Sequence, residues 1–316
     1  MFRPEIKVLD CTVRDGGLIN DHRFNDNFVR EVYRAVSAAG VDYMEIGYRC
    51  SKSIISPDKF GKWKFCEEDE IRRAIDGIDS HTKLSVMVDV GRVEKADILP
   101  KKDSVLDMIR VATYVKDIDK AIDLVNEAVD KGYEGTVNIM AISRALDNEL
   151  DEALAQLEEE SKASVVYIVD SFGALYSENV QHLVGKYKKF LKNKEVGMHG
   201  HNNQQLAYAN TIQAIIEGAN YVDGTIYGIG RAAGNCPLEL LLGFLKNPKF
   251  DVRPIFDVIT NEFLPLREKI EWGYIIPYAI TAMFNEHPRP AMAIRKTEDK
   301  DSYLAFYESL LPDDME

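Results

Sequence analysis

The chain predicts a closed parallel (β/α)8 barrel, the TIM-barrel class of α/β fold, followed by a mostly helical C-terminal extension. Three observations predict it. Short apolar strands alternate with amphipathic helical stretches along most of the sequence. The strands number eight, the count at which such a sheet closes on itself. Polar residues gather where strands end (Arg14 and Asp15, Tyr48 and Arg49, Asp89, Ser171, His199 and His201, Asn235), and a barrel brings all such ends to one mouth. An open doubly wound sheet shares the alternation, but the count of eight favours closure. A length of 316 residues fits a barrel over 1–245 and an extension over 246–316.

The elements follow in order. Residues 6–12 form the first strand and run into Val13-Arg14-Asp15-Gly16-Gly17, which is expected to turn. A helix over 25–39 carries Phe28, Val29, Val32 and Val36 at helical spacing and stops at Gly40. The second strand is 43–48. An excursion rich in Lys, Trp and Phe over 51–65 leads to a helix over 67–78. Strands three and four are 83–90 and 107–113, the latter followed by a helix with Ile118, Ile122, Val125 and Val129 on one face. Strand five, 135–142, precedes a charged helix over 148–163. Strand six, 165–170, ends in Asp170-Ser171-Phe172-Gly173. Strand seven, 195–201, leads to a helix presenting Leu206, Ala209, Ile212 and Ile216. Strand eight, 221–227, ends in a glycine-rich turn over 228–235. From about Lys246, Pro248, Pro254 and Pro265 break the pattern and helices replace strands. The acidic tail, 311–316, is expected to fray.

Composition narrows the function. Hydrophobic residues make up 46%, enough for a sizeable core. Lys plus Arg number 39 and Asp plus Glu 52, so 39 − 52 = −13, which argues against a nucleic-acid partner. A small anionic substrate remains possible, because local charge can oppose net charge. No apolar run is long enough to span a bilayer, and the first residues lack the core of a signal peptide. Cys11, Cys50, Cys66 and Cys236 are scattered without a CxxC and read as reduced thiols. The expectation is a cytoplasmic protein with no membrane partner.

The chemistry centres on His199-Gly200-His201. In a strand, alternation sends both imidazoles to one face, where they form half of a metal site. Taken alone, the pair fits equally a polar strand end with two solvated histidines. Barrel closure adds Asp15 from strand one, giving a carboxylate and two histidines with open positions for substrate. Nitrogen and oxygen donors without thiolate suit a divalent ion, Mn²⁺ first, with Mg²⁺, Co²⁺ and Zn²⁺ as alternatives. Such a metal chelates a 2-oxo acid and favours its enolate, and Arg14 can set a cation over the developing charge. The competing reading of Arg14-Asp15 is a surface ion pair. The Gly-Ile-Gly of 228–230 does not follow a first strand, so it is no dinucleotide fingerprint.

Leu9-Asp10-Cys11-Thr12-Val13-Arg14-Asp15-Gly16-Gly17 resembles the Asp-x-Thr-x-Arg-Asp-Gly motif of the superfamily of metal-dependent pyruvate aldolases, 3-hydroxy-3-methylglutaryl-CoA lyases and isopropylmalate synthases. Asp170-Ser171-x-Gly173, then Met198-His199-x-His201-Asn202-Asn203, then Gly228-x-Gly230-x-x-x-Gly234-Asn235-x-Pro237-Leu238-Glu239 follow in the same order and are most similar to the 4-hydroxy-2-oxovalerate aldolase branch. The resemblance covers roughly residues 6–245 and implies a TIM barrel. It implies that Asp15, His199 and His201 bind the metal, that Arg14 stabilises a pyruvate enolate and that Ser171 holds the pyruvate carboxylate. It places Asn235 behind the metal ligands and the Tyr278 hydroxyl near the mouth, with a catalytic part. The substrates it implies are pyruvate and an aldehyde. One position departs from the pattern: the branch carries an acid/base histidine three residues after the metal-binding Asp, and here that residue is Leu18. A metal-bound water, His22, read as an exposed loop histidine, and Tyr48 and Arg49 are the alternatives for moving a proton.

The leading expectation is thus a metal-dependent carbon–carbon lyase, an aldolase acting on a 4-hydroxy-2-oxo acid. A Claisen-type enzyme condensing an acyl-CoA with a 2-oxo acid is the alternative, with Arg231 leaning that way. A non-catalytic partner subunit that kept the metal site is the third, supported by Leu18 alone. A homodimer is plausible. The branch's aldehyde dehydrogenase partner is not expected, because the extension is short for docking one.

Overall fold

Eight short strands with apolar residues on both faces can be satisfied only by burial on both sides, which a helix-wrapped parallel barrel provides. In the computed structural model, which describes residues 2–311, the strands are β1 (Lys7–Asp10), β2 (Tyr43–Tyr48), β3 (Lys83–Asp89), β4 (Met108–Thr113), β5 (Glu134–Ile139), β6 (Val165–Asp170), β7 (Glu195–Gly200) and β8 (Tyr221–Gly224). They pair in sequence order, all parallel, and β1 closes on β8 through Lys7↔Tyr221 to Asp10↔Gly224. The architecture is the predicted TIM barrel. The fraying expected of the tail falls mostly on residues 312–316, outside the described residues.

The period of two sorts side chains by face. Val8, Met44, Ile46, Val86 and Val88 point outward into one continuous core with the helices. Leu9, Tyr43 and Met108 point inward, as do Val165 and Tyr167 on the opposite wall. The outer helices are α2 (Asp26–Ala38), α3 (Glu68–Ile75), α4 (Ile118–Asp130), α5 (Asp147–Glu160), α6 (Ser177–Phe190), α7 (Ala207–Glu217) and α8 (Leu238–Leu245), after a short α1 (Thr12–Gly16) at the mouth. Asn25 caps α2 by accepting from the Phe28 N–H at 2.8 Å.

Two expectations change. The stretch 13–17 is not an open turn: α1 winds it into one helical turn, which swings Arg14 and Asp15 inward over the barrel. The strand–helix alternation is also not strict. Between β3 and β4 the chain makes only two single 3-10 turns, Lys95–Asp97 and Lys101–Asp103. That segment carries Gly91, Pro100 and a run of charges, so it has no apolar stripe with which to dock a helix.

Beyond α8 the extension is helical: α9 (Arg253–Val258), α10 (Leu264–Arg267), α11 (Ile276–Met283), α12 (Arg289–Ile294) and α13 (Tyr303–Glu308). It returns to the mouth. Arg144 Nη1 donates to Asn285 O and Glu286 Oε1, both at 2.8 Å, and Asn285 Nδ2 donates to Ser143 O at 2.9 Å. Among the described residues no helix is long and apolar enough to cross a membrane.

Candidate metal centre

Asp15 sits in α1 with no exposed surface. Its Oδ2 accepts from Arg14 Nη1 at 2.5 Å and its Oδ1 from the Arg231 N–H at 3.3 Å. Burial pushes its pKa up, but Arg14, His201 and His199 outweigh burial and hold the carboxyl well below its usual range. The approach of the Arg231 backbone depends on Gly230. A Cβ there would overlap the Asn235 amide and come within 2.9 Å of Asp15 Oδ1.

His199 and His201 project from the end of β7 as alternation requires, their rings 5.2 Å apart. His199 Nε2 lies 3.5 Å and His201 Nε2 3.8 Å from Asp15 Oδ2. All three ligand atoms fall within 4.8 Å of one another. His199 Nδ1 meets Asp223 Oδ2 at 2.9 Å, so an Nδ1–H donates there and leaves the Nε2 lone pair facing Asp15. That Nε2 is buried and has no hydrogen-bond partner. Burial lowers the His199 pKa, but Asp15 and Asp223 together raise it above the ordinary value. Burial, with Arg231, His199 and Arg14 against Asp15, pushes His201 down to about 3, so it is neutral at physiological pH. The donor set fits a divalent ion: one ionised carboxylate, one neutral imidazole, and one imidazole whose buried nitrogen lacks a partner.

A second group, Cys11, His199 and Asp223, is also close enough to ligate. Its chemistry is wrong for a metal. Burial lifts the Cys11 thiol well above its usual pKa, its Sγ donates to Asp223 Oδ2 at 3.4 Å, and Arg110 Nη2 already occupies that oxygen at 2.6 Å.

The three candidate ligands stand on a buried ring of charge. Arg14 Nε donates to Glu45 Oε2 at 2.6 Å, Arg110 Nη1 donates to the same oxygen at 2.9 Å, and Arg110 Nη2 reaches Asp223. Asp223 holds His199, which faces Asp15, which holds Arg14. Two guanidinium ions thus face three carboxylates, an excess negative charge that a cation completes. Arg110 also stacks on Tyr167, its Cζ 4.4 Å from the ring centre. The Arg14-Asp15 pair is therefore buried, not a surface pair. Glu45, Arg110 and Asp223 were missed from sequence, although each is a charge at an inward position of an otherwise apolar strand.

Ser171 is nearly buried at the end of β6. Its Oγ accepts from the Ala141 N–H at 2.8 Å, and its carbonyl accepts from Arg231 Nη2 at 3.3 Å. Asn235 forms a backbone bridge to His201 and donates through Nδ2 to Ile229 O at 3.0 Å, while its buried Oδ1 has no partner. Tyr278 is not among the residues that line the cleft at the mouth. Its ring packs in a cluster with Ala232, Ala233, Ile280, Ala291 and Phe306, and the charges acting on its hydroxyl are Glu271 and Arg295.

Beside this floor lies a cleft of about 190 Å³ with Leu18, Tyr48, Met140 and Arg231 in its walls; Asp15, His199 and His201 do not line it, and Arg231, whose N–H reaches Asp15 Oδ1, joins the two. A larger cleft, about 380 Å³, lies by Lys7, Asp42 and Lys83 at the opposite end of the strands, where no such ligand set converges among the described residues. Of the alternatives for moving a proton, Tyr48 faces the mouth cleft. Arg49 is turned away, donating to Cys66 O at 2.7 Å and Glu68 Oε1 at 2.8 Å. His22 is not an exposed loop residue: it is 1% exposed, its ring edge-on to Tyr48 at 5.3 Å, in a left-handed backbone conformation. Its loop folds back through its own N–H to Gly17 O at 2.7 Å, and the ring fills the space that a Cβ on Gly17 would need. Burial, reinforced by Lys64 and Arg14, lowers its pKa to about 3.

Comparison with known proteins gives the following. Residues 5–260 match the family described as HMGL-like. The chain is 32% identical over 249 residues to a 4-hydroxy-2-oxovalerate aldolase of Pelotomaculum thermopropionicum, covering 79% of this chain and 72% of the relative. It is 29% identical over 262 residues to an oxaloacetate decarboxylase of Mycobacterium tuberculosis, covering 81% and 76%. The crystal structure of the N-terminal domain of an aldolase candidate from Bacteroides vulgatus superposes with a TM-score of 0.79 at 30% identity, covering 93% of this chain and 98% of that one.

Proposed function

We infer that this chain, which belongs to the HMGL-like family, is a divalent-metal-dependent lyase that makes or breaks the carbon–carbon bond between pyruvate and an aldehyde. The observation that carries the reading is the convergence of Asp15, His199 and His201, with the buried His199 Nε2 left without a partner, beside the buried Arg14 guanidinium. A divalent metal held by those three residues supplies the Lewis acidity that favours the enolate of a 2-oxo acid. Mn²⁺ is the first candidate.

The chain's own groups do the rest. Arg14, fixed by Asp15 and Glu45, keeps a full positive charge where the C2 oxygen of pyruvate becomes negative. The Ser171 hydroxyl, accepting from Ala141, still has its proton to donate to the pyruvate carboxylate. Tyr48 takes the place of the histidine that Leu18 replaces. Burial raises its pKa, so its hydroxyl keeps the proton at neutral pH and serves as a donor. In the addition direction the enolate's methylene carbon bonds to the aldehyde carbon. The carbonyl π pair moves to oxygen, the Tyr48 hydroxyl protonates it, and Tyr48 regains a proton from water, which took up the one lost by the pyruvate methyl on enolisation. Cleavage is the reverse.

Leu18 also favours a second reading, decarboxylation of a 2-oxo diacid such as oxaloacetate. Loss of CO₂ gives the same enolate with no hydroxyl proton to remove. With Mn²⁺ or Mg²⁺ present, the aldolase reading expects pyruvate release from a 4-hydroxy-2-oxo acid. Turnover of oxaloacetate alone would replace it with the second reading, and no turnover of any such acid with metal bound would remove both.

A further inference from the structure

The chain carries a net charge of −13, yet the mouth is cationic. Lys64, Arg92, Arg231 and Arg289 line the cleft beside the candidate metal centre against two carboxylates, Asp89 and Asp117. Both carboxylates are already engaged: Asp89 Oδ2 with Arg92 Nη1 at 3.0 Å, and Asp117 Oδ1 with Lys120 Nζ at 2.6 Å. Among the described residues, Lys64, Arg231 and Arg289 have no carboxylate in ion-pair range.

Lys64 is the informative one. It ends a 3-10 turn, Lys62–Lys64, in the excursion after β2 and is only 4% exposed. Its ammonium lies 3.7 Å from the centre of the Tyr48 ring and 5.8 Å from that of Phe60. A buried ammonium without a counter-ion is costly, and aromatic faces offset only part of that cost. Burial lowers its pKa against the opposing pull of Cys50 and Asp89, with Arg92 and Arg14 adding smaller downward contributions. Arg14 approaches the same Tyr48 ring at 6.0 Å and belongs to the candidate metal centre. Tyr48 therefore separates two positive poles, one over the enolate and one farther out. The outer pole continues across the cleft to Arg289 at the start of α12, beside His287, whose Nδ1 accepts from the Arg289 N–H at 3.1 Å.

We propose that the outer part of this cleft is a subsite for the anionic far end of the aldehyde, a phosphate or carboxylate gripped by Lys64 and Arg289 while its carbonyl meets Tyr48 and the enolate. This rests on the aldolase reading and sharpens its substrate class. A cleft of about 190 Å³ suits a short charged aldehyde.

The test compares charged and neutral acceptors with Mn²⁺ and pyruvate: glycolaldehyde phosphate and succinic semialdehyde against glycolaldehyde and butanal. The expected result is a kcat/KM at least tenfold higher for one charged aldehyde than for its neutral partner. Which charged aldehyde wins distinguishes phosphate from carboxylate. Lys64→Met and Arg289→Ala should each reduce that charged-to-neutral ratio at least fivefold. A calorimetric titration with inorganic phosphate and with succinate keeps the proposal falsifiable if no acceptor turns over. Wild type should bind at least one of them, and Lys64→Met several-fold more weakly. Equal use of charged and neutral aldehydes, or binding of neither anion, or binding unchanged by Lys64→Met in folded protein, overturns the subsite. The aldolase reading fails separately, when pyruvate itself is not enolised.

Discussion

Asp223→Asn removes one charge from beneath the proposed metal ligands without changing side-chain size. Asp223 Oδ2 sits 2.9 Å from His199 Nδ1, and among the described residues no other hydrogen bond fixes that ring. The carboxylate sets the tautomer and increases the electron density that Nε2 offers a metal. Loss of such a partner weakens metal binding by about 10- to 100-fold, or roughly 1.4–2.8 kcal/mol. Asp223 also satisfies Arg110 at 2.6 Å, but Arg110 keeps Glu45 at 2.9 Å, so the fold should survive with a stability loss of about 1–3 kcal/mol. The assay is titration of the purified protein with Mn²⁺, followed by the loss of the free-ion electron paramagnetic resonance signal, with circular dichroism to confirm folding. Affinity within twofold of wild type, in folded protein, would refute the argument that the buried ring orients the ligand.

Three further predictions follow from the same network. Gly230→Ala should weaken Mn²⁺ binding at least tenfold in the same titration, because its Cβ would press on Asn235 and on Asp15 Oδ1. Tyr48→Phe should bind Mn²⁺ like wild type but cleave 4-hydroxy-2-oxo acids about 10²- to 10⁴-fold more slowly in single turnovers. The third concerns pH. Burial raises Asp10 to about 7, although Thr12 opposes this through its hydroxyl at 2.5 Å and its N–H at 3.2 Å. A carboxyl with a raised folded pKa gives stability that is complete below its unfolded pKa near 4 and is lost as pH rises to about 7. Asp10→Asn should therefore flatten the fall in urea-unfolding stability between pH 4 and 7, and an unchanged slope would show that Asp10 titrates normally.

Most of the barrel was legible because strands and helices print different periods. The His-x-His pair was legible for the same reason: a period of two at a strand end can only send both rings one way. What was hidden depends on register and on non-local closure. Glu45, Arg110 and Asp223 stand 178 residues apart along the chain at most, and only the barrel makes them neighbours. The burial of His22 follows from its positive φ and from the absence of a side chain on Gly17, neither of which composition reveals. Lys64 was read only as part of a Lys-, Trp- and Phe-rich excursion. Its importance comes from burial against Tyr48, which the excursion's local sequence does not specify. The missing helix between β3 and β4 marks the opposite limit, where a count of eight strands invited eight helices and the apolar stripe for one was absent.

The central claim is that Asp15, His199, His201 and Arg14 form a centre that enolises pyruvate. Deuterium exchange at the pyruvate methyl tests it without knowledge of the aldehyde. With Mn²⁺, wild type should exchange the methyl protons, and Arg14→Ala or His199→Ala should slow exchange at least 100-fold. Exchange unchanged in either variant would contradict the assignment of the site.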